Sequence, residues 1–262
     1  MPAGIDTLAS ELQSRLDQMA PDDSRRLFCS VYRRTTLAVG EEIVRGGFID
    51  GSWVDRWDLA FGVLYLRPLD SELRGEPVPA PWAVAFRQAR EQPQLSPLRH
   101  VLVGINAHIN YDLPQALLAV ISDAELNDEE LLGRRSADHS HVDDVLAARV
   151  AAEDLMLKSL GGVQLLDRVL TPANREATKR ILRESRAKVW ANTRILGRAR
   201  RAGPDEYAAR MAELERLSTA RVSDLVRPGR VLLRLAVRGF GVSLSPDLPY
   251  DTSRRATSPG EG

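Results

Sequence analysis

One run of residues constrains this chain more than any other. LRHVLVGINAHINYDLPQALLAVIS, residues 98–122, is apolar on nearly every side of a helix, yet it holds two histidines, an aspartate and two asparagines. A helix that is greasy all round must be wrapped by neighbours. Its internal polar groups interrupt it too often for a membrane span. The rest of the chain therefore has to supply helices that pack around it.

It offers them in order. Ile5, Leu8, Leu12, Leu16 and Met19 recur at helical spacing before Pro21-Asp22-Asp23 breaks the run. Leu27, Phe28, Val31, Tyr32, Thr35 and Leu37 carry a second helix to about Ile43, with Gly46-Gly47 as its stop. Asp50 or Ser52 caps a third, which holds Trp53, Trp57, Phe61 and Tyr65 and is expected to end at Pro68. SELRGEPVPA reads as a loop, and Pro81-Trp82 opens the next helix.

After the apolar run, Asp138–Leu160 reads as a helix with Asp and Ser in its cap and first turn, stopped by Gly161-Gly162. Pro172–Arg201, Pro204–Leu217 and Arg221 to about Arg238 complete the series. No run alternates as a strand does. The expectation is an all-α single domain of about eight to ten helices over residues 1–243, with a disordered tail over 244–262.

Charge and cysteine usage narrow the functional classes. Thirty-six basic residues balance 36 acidic ones, so no global field draws in nucleic acid, which is not expected as a partner. The basic segment Arg175–Arg201 alternates with Ile181, Leu182, Val189, Trp190, Ile195 and Leu196, which reads as a solvated face over a buried one. Cys29 is the single cysteine, on the apolar face of the second helix. It excludes an internal disulfide and, with four histidines, a Cys/His zinc framework. No secretory leader, membrane span or nucleotide-binding motif is present, so the expected location is cytoplasmic. The oligomeric state is not encoded in any of these features.

The chemistry sits in the apolar run. On a helical wheel His108 and Asp112, four residues apart, share one face, while Asn106 and Asn110 stack roughly opposite. An imidazole and a carboxylate buried among Ile105, Ile109 and Ala116 need partners, and their simplest partners are each other. The carboxylate should favour imidazolium, as suits a general acid/base or a metal ligand. Pro114 has no N–H for the carbonyl of Asn110, so a kink is expected beside the pair.

These residues carry a resemblance. Gly104-Ile105-Asn106-Ala107-His108-Ile109-Asn110-Tyr111-Asp112-Leu113-Pro114-Gln115-Ala116-Leu117 resembles the G-x-N-A-H-I-N-x-D-L-P-x-A-L helix of an uncharacterised bacterial family of unknown function. Supporting matches include Phe28, Tyr32, Thr35, Gly47-Phe48-Ile49-Asp50, Phe61, Tyr65, Trp82 and Val142–Leu146, over roughly residues 5–160. The resemblance implies a special site and no particular activity. Asp143 stands where that family has Asn, so a role for the amide does not carry over. A weaker likeness, to helical zinc enzymes of the phospholipase C and single-strand nuclease type, lacks the histidines such sites gather.

A second tract, Asp138-His139-Ser140-His141-Val142-Asp143-Asp144, has the composition of a metal site and equally that of a helix start. A divalent metal shared by His108, Asp112, His141 and Asp138 is the sharper version of that idea. His100 opens the apolar helix as a partly exposed residue. The reading that results is an enzyme acting on a small organic substrate in an internal pocket. His108 and Asp112 would be acid/base groups or metal ligands, Asn106, Asn110, Tyr111 and Trp82 would bind substrate, and Tyr32 and Asp50 would stand behind them. The alternative is a non-catalytic small-ligand-binding or structural protein whose polar central helix only specifies packing.

Overall fold

The computed structural model describes residues 1–159, 172–229, 234–235 and 238–246, with side chains described outside 147–159 and 172–182. The expected helix stop at Gly161-Gly162 and the tail beyond Pro246 lie outside these described residues, as do the side chains of the basic residues between 172 and 182. The fold is all-α. In chain order the helices are α1 (Ala3–Gln18), α2 (Arg25–Arg45), α3 (Gly51–Leu73), α4 (Ala80–Glu91), α5 (Pro97–Ala107), α6 (Leu113–Val120), α7 (Glu129–Ser159), α8 (Pro172–Ala202) and α9 (Pro204–Val226). A five-residue π-turn, His108–Asp112, joins α5 to α6, and no described helix is long and apolar enough to cross a membrane.

Local signals set many boundaries. Gly46 closes α2 in the left-handed region at φ 75°, where a side chain would be strained. The Asp50 side chain accepts the Trp53 N–H at 2.9 Å and caps α3. Pro81 sits in the first turn of α4, where its missing N–H costs nothing.

Three expectations change. Pro68 does not end α3 but lies buried inside it. Asp138 is not a cap, because α7 begins at Glu129, and its carboxylate instead accepts the Ile49 and Asp50 N–H groups at 2.6 and 2.9 Å. The two helices expected between Pro204 and Arg238 are one helix as far as Val226.

The apolar run is the axis of the bundle. α5, the π-turn and α6 pack against α2, α3, α4, α8 and α9 between them. Val103, Ala107, Leu113, Ala116, Leu117 and Leu118 are sealed from solvent. Close approach to α2 requires Gly104, since a Cβ there would stand about 2.5 Å from the Phe28 ring.

The extended segment around residues 240–245 closes the bundle. Asn110 donates Nδ2–H to the Phe240 carbonyl at 3.1 Å and accepts the Val242 N–H at 3.0 Å. Asn192 on α8 does the same one step on, to the Val242 carbonyl and the Leu244 N–H. Each amide offers one donor and one acceptor, as a neighbouring strand would. The Ser245 N–H reaches Glu213 on α9, so the docked chain extends past residue 243.

Candidate functional site

The π-turn is where α5 becomes α6. Leu113 donates its N–H to the His108 carbonyl, a register one residue wider than α-helical, and Pro114 follows with no N–H to give. The side chain of Gln115 caps the Tyr111 carbonyl at 2.7 Å. The kink expected from Pro114 thus takes the form of a widened turn that contains both His108 and Asp112.

The expected pair is made. His108 Nδ1 and Asp112 Oδ2 lie 2.8 Å apart, and Trp82 donates Nε1–H to the same oxygen at 2.9 Å. Five aromatic rings enclose the imidazole: Phe28 and Tyr32 from α2, Phe61 and Tyr65 from α3, and Trp82 from α4. Phe61 is parallel to it with centroids 3.5 Å apart, and Tyr32 meets it edge-on at 4.6 Å. Nε2 has no hydrogen-bond partner, and neither has the Tyr32 hydroxyl.

This enclosure reverses the expected charge state. Burial pushes the His108 imidazolium well below the usual histidine range and raises Asp112 well above the carboxylate range, against a smaller opposing effect of the Trp82 hydrogen bond. Sealed from water, the pair favours its uncharged forms. The carboxylate does not stabilise imidazolium here, because both partners would have to be charged in a dry aromatic box.

Asp112 reaches an opening that His108 does not. A cavity of about 200 Å³ lies between the C-terminal half of α3, the loop at Pro77 and Pro79, and the π-turn. Leu64, Arg67, Pro68, Ser71, Tyr111, Asp112 and Gln115 line it. Leu64 is the residue whose carbonyl loses its helical donor to Pro68, so the proline that fails to end α3 leaves that carbonyl without its usual partner beside this cavity. Burial raises the Tyr111 phenol to about 12, keeping it a neutral donor at the rim.

Other expected site residues lie elsewhere. Asn106 and Asn110 face away from the cavity and both donate to the Phe240 carbonyl, at 3.1 Å each, so they are anchors for the 240–245 segment. The wheel already set them opposite His108, and their partner lies 134 and 130 residues along the chain. Asp50 caps α3 and pairs with Arg135 at 2.6 Å, which commits it away from the cage.

The proposed four-residue metal site is not assembled. His141 pairs with Glu42 at 2.9 Å, and Asp138 holds the 49–50 backbone. Among the described residues no three His, Cys, Asp or Glu side chains converge as metal ligands do. His100 is buried rather than partly exposed. Cys29 is buried too, its thiol raised to about 11 by desolvation.

The sequence reading missed Leu64, Arg67, Pro68, Ser71, Pro77 and Pro79 as cavity residues. The only available signal was the proline inside an otherwise strong helical pattern.

The model of a family of unknown function, DUF5995, matches residues 5–228. The chain belongs to that family. The DUF5995 match takes in α2 through α9 and the cavity at Asp112, and stops short of the 240–245 segment. No curated protein and no solved structure matches the chain.

Proposed function

We propose that this DUF5995 chain is an enzyme that binds a small organic substrate in the cavity at the π-turn and exchanges a proton with it through Asp112. One observation carries the reading: a carboxyl held by two hydrogen bonds on one oxygen also lines an opening. Both bonds use Oδ2, so Oδ1 is the oxygen left to a ligand. Burial keeps the proton on Asp112 toward neutral pH, the condition for a general acid.

In this reading His108 is a positioning residue. Its ring, fixed against Phe61, sets the rotation of the carboxyl and never meets substrate. Tyr111 and Gln115 supply polar contacts at the rim, and Trp82 holds the carboxyl from behind. At about 200 Å³ the cavity is smaller than the roughly 300–1,000 Å³ of drug-sized sites, which suits a substrate of few atoms.

A panel of small metabolites incubated with the full chain and followed by mass spectrometry tests this. Asp112→Asn should abolish any turnover found, while Asp58→Asn, buried outside the cavity wall, should keep it. In infrared spectra Asp112→Asn should also remove a protonated-carboxyl band at neutral pH. Turnover equal to wild type in Asp112→Asn, or no such band in the wild type, ends the proposal. The enclosed Nε2 of His108 favours a second reading, simple binding in the same cavity, which predicts saturable ligand binding lost in Asp112→Asn without any product.

A further inference from the structure

We infer that the cleft between α7 and α8 is a second binding site, for a small planar monoanion of the aromatic carboxylate class, held by Arg186 and stacked on Trp190. A cavity of about 700 Å³ opens there, with His139, His141, Asp143, Arg183, Arg186 and Trp190 among its walls. It shares no residue with the cavity at Asp112.

Two buried polar groups in this cleft lack partners. Arg186 is 6% exposed and bonds Asp143 through Nε, yet its Nη1 has no acceptor. His139 is 1% exposed and its Nε2 is also unpartnered. A guanidinium whose N–H groups go unmet in a buried position is costly, and an acceptor oxygen from a ligand satisfies it. His141 is already committed to Glu42 and Asp144.

The walls also define the ligand. Asp143 pairs with Arg186, and Arg183 and Asp144 line the same cleft, so two cations face two carboxylates and the unmet Nη1 of Arg186 favours one added negative charge over two. Burial and the neighbouring Arg186 hold His139 neutral, which keeps it from adding a third cation beside Arg183 and Arg186. Its ring lies 5.8 Å from Trp190 at 30°, giving a flat surface for a flat ligand.

Of the four tryptophans, Trp53, Trp57 and Trp82 are sealed in the core, and Trp190 alone is partly exposed. Benzoate titrated into the full chain should therefore change tryptophan fluorescence saturably, and Trp190→Phe should remove the change while calorimetry still detects binding. Benzoate should bind at least tenfold more tightly than benzamide and than inorganic phosphate. Ala187→Phe, at a solvent-facing position on the cleft wall, should weaken benzoate at least tenfold with near-ultraviolet circular dichroism unchanged. Asp112→Asn should leave benzoate binding intact. No saturable binding of benzoate, equal affinity for benzamide, tighter binding of phosphate, or unchanged binding in Ala187→Phe would each overturn the assignment.

Discussion

His108 and His139 are both buried, and burial lowers both well below the usual histidine range, yet their surroundings are opposite. His108 has a carboxylate at 2.8 Å and a closed aromatic cage. His139 has a guanidinium nearby and an open cleft beside it. The difference teaches that desolvation decides the charge of both rings. The neighbour decides only what the ring can do, which is to orient a carboxyl in one case and to leave room for a ligand in the other.

The comparison breaks first by deletion. His108→Ala removes a ring stacked on Phe61 and strips Asp112 of a buried partner, which should cost about 3–5 kcal/mol. His139→Ala opens onto a cleft that water can fill and should cost about 1–2 kcal/mol. Urea unfolding at pH 7 measures both, and equal losses would erase the distinction between a closed cage and an open cleft.

Asp58 sharpens it next, because this carboxyl faces both regions. It raises the Tyr32 phenol on the cage side and is itself drawn down by Arg186 on the cleft side. Burial, with a smaller push from Asp55, raises Asp58 from 3.8 to about 7. The folded state thus holds a proton that the unfolded state releases, so this contribution is complete below about pH 4 and is lost as pH rises to about 7. Asp58→Asn should stabilise the protein by on the order of 3–4 kcal/mol at pH 8 and by much less at pH 4. A pH-independent gain would show that Asp58 is not protonated in the fold.

The cage pair has its own pH signature. Asp112, raised, loses stability as pH climbs above about 4, and His108, lowered, loses it as pH falls below about 6.5. The two trends oppose between those values. Trp82→Phe gives a small effect, about 1 kcal/mol for the lost Nε1–H bond. Because that bond holds Asp112 down, its loss should move the protonated-carboxyl infrared band to higher pH. An unmoved band would mean that the indole does not tune the carboxyl.

What the sequence disclosed was what neighbours along the chain decide. Gly46, Asp50 and Pro81 act on the turn they stand in, and each does what its residue type requires. The His108–Asp112 contact was legible because four residues of helix fix it. Pro68 misled because its effect on its own turn favours a helix end, whereas packing keeps its ring buried inside α3 beside the cavity. Asp138 and the two asparagines misled because their partners, the 49–50 backbone and Phe240, come from remote parts of the chain. Composition told that these groups needed partners, and only the fold could say which.

The amide grips on residues 240–244 also bear on how the protein is made. α5, the π-turn and α8 cannot satisfy their inward asparagines until the last stretch of the domain has left the ribosome. Until residues 240–244 dock, the bundle stays unlatched on that face, so this segment closes a bundle whose helices are already made.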